Sequence, residues 1–148
     1  MRSSNNQIFI ASDHAGFAMK KILAQHLIGL GAEVIDLGTQ TEESVDYPDY
    51  AVKLARTMEP IPSARGILVC GTGIGMSITA NRHMHIRAAL CNSLEYARLA
   101  REHNDANVLV LGARFISEKL AREIVDTFLQ TPFAAGRHSI RVEKLSRA

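Results

Sequence analysis

Short apolar runs alternate with longer amphipathic ones along most of the chain. Gln7 to Ala11 reads as a buried strand, and Phe17 to Leu30 follows with helical spacing. In that helix Phe17, Lys20, Lys21, Leu23, Leu27 and Leu30 sort onto faces, and Gly31 supplies the stop. Glu33 to Leu37 predicts a second strand, and Tyr47-Pro48 opens a helix running to Arg56 or Met58, since proline is tolerated in a first turn. A loop with Pro60, Pro62 and Ser63 precedes a third strand at Gly66 to Val69, followed by a glycine-rich turn and a helix. The remaining expectations are a strand at Arg87 to Cys91, a helix at Ser93 to Glu102 and a strand at Val108 to Leu111. Helices at Ser117 to Leu129 and Ser139 to Leu145 complete the chain.

Five short strands separated by helices imply a parallel sheet covered on both faces. Right-handed crossovers make it a Rossmann-like α/β three-layer sandwich, one domain over residues 1–148. Ligands in such sheets bind beyond the carboxyl ends of the strands. The predicted strand ends carry Asp13-His14, Asp36, Cys70-Gly71-Thr72, Cys91-Asn92 and Gly112-Ala113-Arg114.

Cys70-Gly71-Thr72-Gly73-Ile74-Gly75 is the richest of these segments. Its glycines let backbone N–H groups approach an anion closely, and the following helix start adds positive potential. The same field favours a thiolate, the form in which cysteine acts as base or nucleophile. A P-loop is not present, because Met76-Ser77 stands where the lysine would be required. A dinucleotide fingerprint would place its glycines in the first βα unit, whereas here they fall in the third.

Composition narrows the function classes. A net charge of +2 over 148 residues gives no general case for nucleic acid, although Arg137, His138, Arg141, Lys144 and Arg147 gather near the C-terminus. No apolar run approaches the roughly 18 residues that span a bilayer, and the polar Met1–Asn6 segment lacks the apolar core of a signal peptide. Two cysteines outside any CxxC pair do not make a disulfide framework, and Cys91 reads as a small buried hydrophobe. The expected location is the cytoplasm. His26, His83 and His85 are not spaced as a metal site, so none is expected.

Six segments in order resemble the type B ribose-5-phosphate isomerase family, which also contains allose-6-phosphate and galactose-6-phosphate isomerase subunits. They are Ser12–Phe17, Asp46–Tyr50, Gly66–Asn81, Arg101–Asn107, Gly112–Arg114 and Gly136–Val142. The resemblance implies aldose–ketose isomerisation of a phosphorylated sugar through an enediolate, with no metal or other cofactor. Cys70 matches the family's base, while Thr72 and His103 match residues associated with opening the furanose ring. Some family members use a glutamate in the helix start instead of the cysteine. The corresponding residue here is Met76, which takes no proton, so the chain resembles the cysteine subtype.

By the same resemblance, Gly71, Gly73, Ile74 and Gly75 offer N–H groups to the developing oxyanion. Asp13, Tyr47 and Asn104 hold sugar hydroxyls, and His14 and Arg114 bind the phosphate. Arg137 and Arg141 come from the C-terminal segment of a neighbouring subunit, which implies a homodimer or tetramer with shared sites. Their i, i+4 spacing near a helix start would let both face one ligand. Alternatives are an isomerase of a six-carbon aldose phosphate and a catalytically silent phosphosugar-binding subunit.

Overall fold

The computed structural model describes residues 6–148. Five strands form one parallel sheet in the order β2-β1-β3-β5-β4: β1 (Gln7–Ser12), β2 (Glu33–Asp36), β3 (Arg65–Cys70), β4 (Ala88–Leu90) and β5 (Val108–Gly112). The helices are α1 (Phe17–Gly29), α2 (Tyr47–Met58), α3 (Ile74–Ala80), α4 (Leu94–Asn104), α5 (Glu118–Gln130) and α6 (Ser139–Leu145), with a 3₁₀ turn at Gly136–His138. The expected α/β sandwich with a five-stranded parallel sheet is therefore present.

Alternation along the central strands builds two cores, because successive side chains point to opposite faces. Ile67, Val69, Leu109 and Leu111 pack with Leu23 and Leu27 of α1, Ala97 of α4, and Ile124 and Phe128 of α5. Leu68, Cys70, Val108 and Val110 face the other way, against Leu54 and Met58 of α2 and Met76 of α3. Cys70 thus belongs to the α2/α3 side of the sheet.

The observed boundaries differ from the sequence pattern for identifiable reasons. Arg65 joins β3 because its backbone pairs with Ile8 of β1, despite a polar side chain. The edge strand β4, paired with β5 alone, is three residues long, shorter than the Arg87–Cys91 run expected. Helix α4 runs two residues past Glu102, to Asn104, and closes on Asp105 in the left-handed conformation (φ 46°). Ser117 lies outside α5 as its N-cap, its hydroxyl accepting from the Leu120 N–H at 3.1 Å. No helix among the described residues is long and apolar enough to cross a membrane.

One half-buried ion pair supports the loop over the first strand. Lys20, from α1, has no exposed surface and its ammonium reaches Asp36 at the end of β2 at 2.7 Å. Asp36 also accepts from the Gly38 N–H at 2.9 Å, and Gly38 and Thr39 exchange backbone hydrogen bonds with Ser12 at the end of β1. The helical pattern alone gave Lys20 no such role.

Candidate active site

The strand order reverses at β1 and β3: the chain first steps outward to β2, then returns to the other side of β1. Such a switch point opens a crevice beyond the strand ends. In register, Ser12 lies opposite Val69 and Cys70 opposite Gly112. Asp13 and His14, the Cys70–Gly75 turn and Arg114 consequently line one cleft of about 510 Å³, with Tyr47 from the start of α2 also on its wall.

Cys70 is buried, and its Sγ accepts a hydrogen bond from the Gly73 N–H at 3.1 Å. The turn that aims this N–H requires glycine at position 73. Gly73 has φ +82°, and a side chain there would strike Leu90 and the backbone of Leu111 and Gly112. Thr72 is exposed and its Oγ1 accepts from the Ile74 N–H at 3.1 Å. Two of the N–H groups expected to meet an oxyanion, those of Gly73 and Ile74, are thus already engaged by the side chains of Cys70 and Thr72. Gly75, inside the first turn of α3, has an N–H without an intrahelical acceptor.

Backbone contacts fix His14 and Arg114 in the cleft. His14 Nδ1 accepts from the Val45 N–H at 3.1 Å, so a neutral His14 ring carries its proton on Nε2. Arg114 follows β5, and its N–H donates to the Gly71 carbonyl at 3.1 Å. Its guanidinium lies over Gly71: a Cβ added there would sit 2.8 Å from Nη1. Asp13 is buried and caps the entry to α1, its Oδ1 accepting from the Gly16 N–H at 3.0 Å.

His103 and Asn104 do not line this cleft. They lie in the last turn of α4, on a separate depression shared with Leu90, Cys91, Tyr96 and Leu99. The exposed His103 ring stacks on His138, with centroids 4.3 Å apart and planes 16° from parallel. The C-terminal segment is tied to α4 by the Ala134 N–H, which donates to the Glu102 carbonyl at 3.1 Å. Arg137 and Arg141 are exposed and close enough to His138 to act on its charge. Arg137 belongs to the 3₁₀ turn and Arg141 to α6, which begins at Ser139 as the sequence pattern expected.

His138 is the residue the sequence reading left without a role, although its motif was noted. Partial desolvation first, then His103, Arg137 and Arg141, hold its pKa below the usual histidine value, and Glu102 opposes them. Asp36, at a strand end, is turned to Lys20 instead of lining the cleft. Burial pushes the Cys91 thiol up to about 12, so it stays protonated at neutral pH and packs as a hydrophobe. Among the described residues no three His, Cys, Asp or Glu side chains are grouped as metal ligands.

A thiol beside N–H donors and a neighbouring guanidinium suits acid–base work on a small anion, and the fold defines an α/β enzyme with its site at a switch point. Residues 8–145 match the family model described as Ribose/Galactose Isomerase, and the chain belongs to that family. Ribose-5-phosphate isomerase B of Escherichia coli (strain K12) is 44% identical over 140 residues, covering 95% of this chain and 94% of its own. The crystal structure of a ribose 5-phosphate isomerase from Thermotoga maritima is 55% identical with a TM-score of 0.93, covering 96% of this chain and 98% of that one. Ribose-5-phosphate isomerase B from Mycoplasma genitalium, solved with bound ribulose-5-phosphate, is 43% identical with a TM-score of 0.92; the match covers 95% of this chain and 94% of that one.

Proposed function

We propose that this protein interconverts ribose 5-phosphate and ribulose 5-phosphate through an enediolate, with Cys70 as the base and with each active site built from two subunits. The observation that carries the reading is Cys70 at the floor of the His14/Arg114 cleft, its sulfur held by the Gly73 N–H.

From aldose to ketose, the Cys70 thiolate takes the proton from C2 of the open-chain sugar. The C2–H electron pair forms the C1–C2 double bond, and charge moves to the oxygen on C1. An N–H such as that of Gly75 is placed to receive that charge; one donor of this kind typically contributes about 3 kcal/mol to lowering a barrier. Cys70 returns the proton to C1, and the O2 proton passes to O1, so nothing is gained or lost overall. Arg114 and the Nε2–H of His14 bind the phosphate, a task that guanidinium geometry suits. Asp13 and Tyr47 hold sugar hydroxyls, and Thr72 assists ring opening.

His103, Asn104, Arg137 and Arg141 form a second constellation on the α4/C-terminal face, apart from the Cys70 cleft. A second copy of the chain supplies that constellation to each cleft. Ile74 and Ile78, one turn apart on α3 at the cleft wall, are 54% and 61% exposed, which suits a surface covered by a partner.

Turnover of ribose 5-phosphate and allose 6-phosphate, measured side by side with chelator present, tests the reading. Faster metal-independent turnover of the pentose, reduced about 10²–10⁴-fold in Cys70→Ala, is expected for loss of a general base. Preference for the hexose would overturn the substrate, and unchanged C2 proton exchange in Cys70→Ala would overturn the base.

A further inference from the structure

Lys20 is a wholly buried ammonium that no step of the proposed reaction uses. Its Nζ lies 2.7 Å from both carboxylate oxygens of Asp36 and 5.4 Å from the Phe17 ring centroid. Burying such a group is costly, and an apolar side chain of similar volume often serves stability as well as an ion pair does. What the pair holds in place is therefore the informative question.

The contacts of Lys20 close a circuit through the cleft. Asp36 Oδ1 accepts from the Gly38 N–H at 2.9 Å, and the Gly38 carbonyl accepts from the Ser12 N–H at 2.8 Å. Ser12 is followed by Asp13, whose Oδ1 accepts from the Gly16 N–H at 3.0 Å. The Gly16 carbonyl accepts from the Lys20 N–H at 2.8 Å, which returns to the starting residue. A Cβ at Gly16 would clash with the Val69 backbone, so the circuit rests directly on the strand that ends in Cys70.

The same pair anchors a loop. Residues 37–46 form no helix or strand, and residues 40–44 are exposed. Asp36 holds the start of this loop, where Gly38 and Thr39 bond to Ser12. Its far end brings the Val45 N–H to His14 Nδ1 at 3.1 Å and leads into Tyr47 on the cleft wall. The Asp36 side chain is 32% exposed, so without the ammonium its carboxylate turns to water and releases Gly38. Val45 then loses its fixed approach, and His14 Nδ1 is free to carry the proton that phosphate binding needs on Nε2.

We infer that Lys20 is a positioning residue for sugar-phosphate binding: through Asp36 it fixes the 37–46 loop, and the loop sets the His14 ring and the Asp13 backbone in the cleft. This inference rests on the isomerase reading, in which His14 and Asp13 meet the substrate.

The test combines kinetics with ¹⁵N resonances of the His14 ring, recorded without substrate. In Lys20→Met, KM for ribose 5-phosphate should rise about tenfold, the scale of one hydrogen bond to a charged group, with kcat within about twofold. His14 Nδ1 should read as an acceptor in the wild type, and the Nδ1–H form should appear in the variant. Lys20→Met combined with Asp36→Asn removes both charges and leaves a side-chain carbonyl for the Gly38 N–H. This double variant should regain most of the urea midpoint but keep the raised KM and the mixed His14 tautomers, and it serves if Lys20→Met alone does not fold. Wild-type KM and His14 resonances in a folded variant would overturn the inference, as would a lowered kcat at unchanged KM. Return of KM, tautomer and midpoint together in the double variant would show that the pair acts through stability alone, and would also overturn it. The His14 resonances need no turnover, so a wild-type protein inactive on ribose 5-phosphate would count against the isomerase proposal and leave the positioning result readable.

Discussion

His103 stacks on His138 at 4.3 Å, on the α4/C-terminal face and outside the cleft that holds Cys70. The residues matched to ring opening, Thr72 and His103, therefore sit on two separate surfaces of one chain. In the proposed dimer a two-fold axis would bring such surfaces together in pairs, because each copy offers both halves.

Mixed subunits test this directly. Cys70→Ala and Arg137→Ala should each be poorly active alone. After equal mixing and subunit exchange, half the dimers are hybrids, and each hybrid has one intact site of two. Activity should recover to about one quarter of wild type. The check is turnover after mixing, with exchange verified by mass spectrometry of intact dimers. Activity that stays at the level of the separate variants would rule out shared sites.

The two glycines beside Cys70 should fail differently. A methyl at Gly71 meets only the mobile end of Arg114, at 2.8 Å from Nη1. Gly71→Ala should fold normally and raise KM more than it lowers kcat, by shifting that guanidinium. At Gly73 the φ of +82° adds strain of about 1–3 kcal/mol, and the neighbours include backbone that does not yield. Gly73→Ala should lower the urea midpoint and reduce kcat, since its N–H no longer holds the Cys70 sulfur. Steady-state kinetics and urea unfolding of both variants separate the two outcomes.

Lys20 should matter for stability out of proportion to its place in the helical pattern. Removing one partner of a buried ion pair costs roughly 3–5 kcal/mol. Asp36 keeps 32% of its side chain exposed, so water takes over part of the lost contact. Lys20→Met should therefore cost less than that range, about 2 kcal/mol. Urea unfolding measures it, and an unchanged midpoint would show that the pair adds nothing.

His138 gives the protein a readable response to pH. Its surroundings hold its pKa below 6.5, so the unfolded chain binds this proton more readily than the folded one. Its contribution consequently disfavours the folded state as pH falls through the unfolded value towards the lower folded one. A sugar phosphate held by Arg137 and Arg141 reverses the sign of the local charge and should raise the His138 midpoint. Imidazole C–H resonances followed from pH 5 to pH 8, with and without ribose 5-phosphate, report both values (range chosen around the ordinary histidine pKa). A midpoint that does not move on binding would place the phosphate elsewhere.

The sequence by itself determined the order of elements and the chemistry at the strand ends. Alternating apolar runs specify β-strands because a period of two admits one buried face per side chain, and the glycine turn after Cys70 follows from local backbone sterics. Local signals also marked Asp13, His14, Thr72 and Arg114 before any of them had a position in space.

Only the tertiary structure decided which of these groups meet. The register of β1, β3 and β5 places Asp13, Cys70 and Arg114 on one cleft, and these strand pairings join residues more than forty positions apart. The same long-range packing carries His103 to the C-terminal segment and away from Cys70, turns Lys20 inward onto Asp36, and leaves Arg65 Nη1 without an acceptor among the described residues. Those outcomes depend on how charges balance once distant segments are brought together and desolvated, and that balance is a property of the assembled interior.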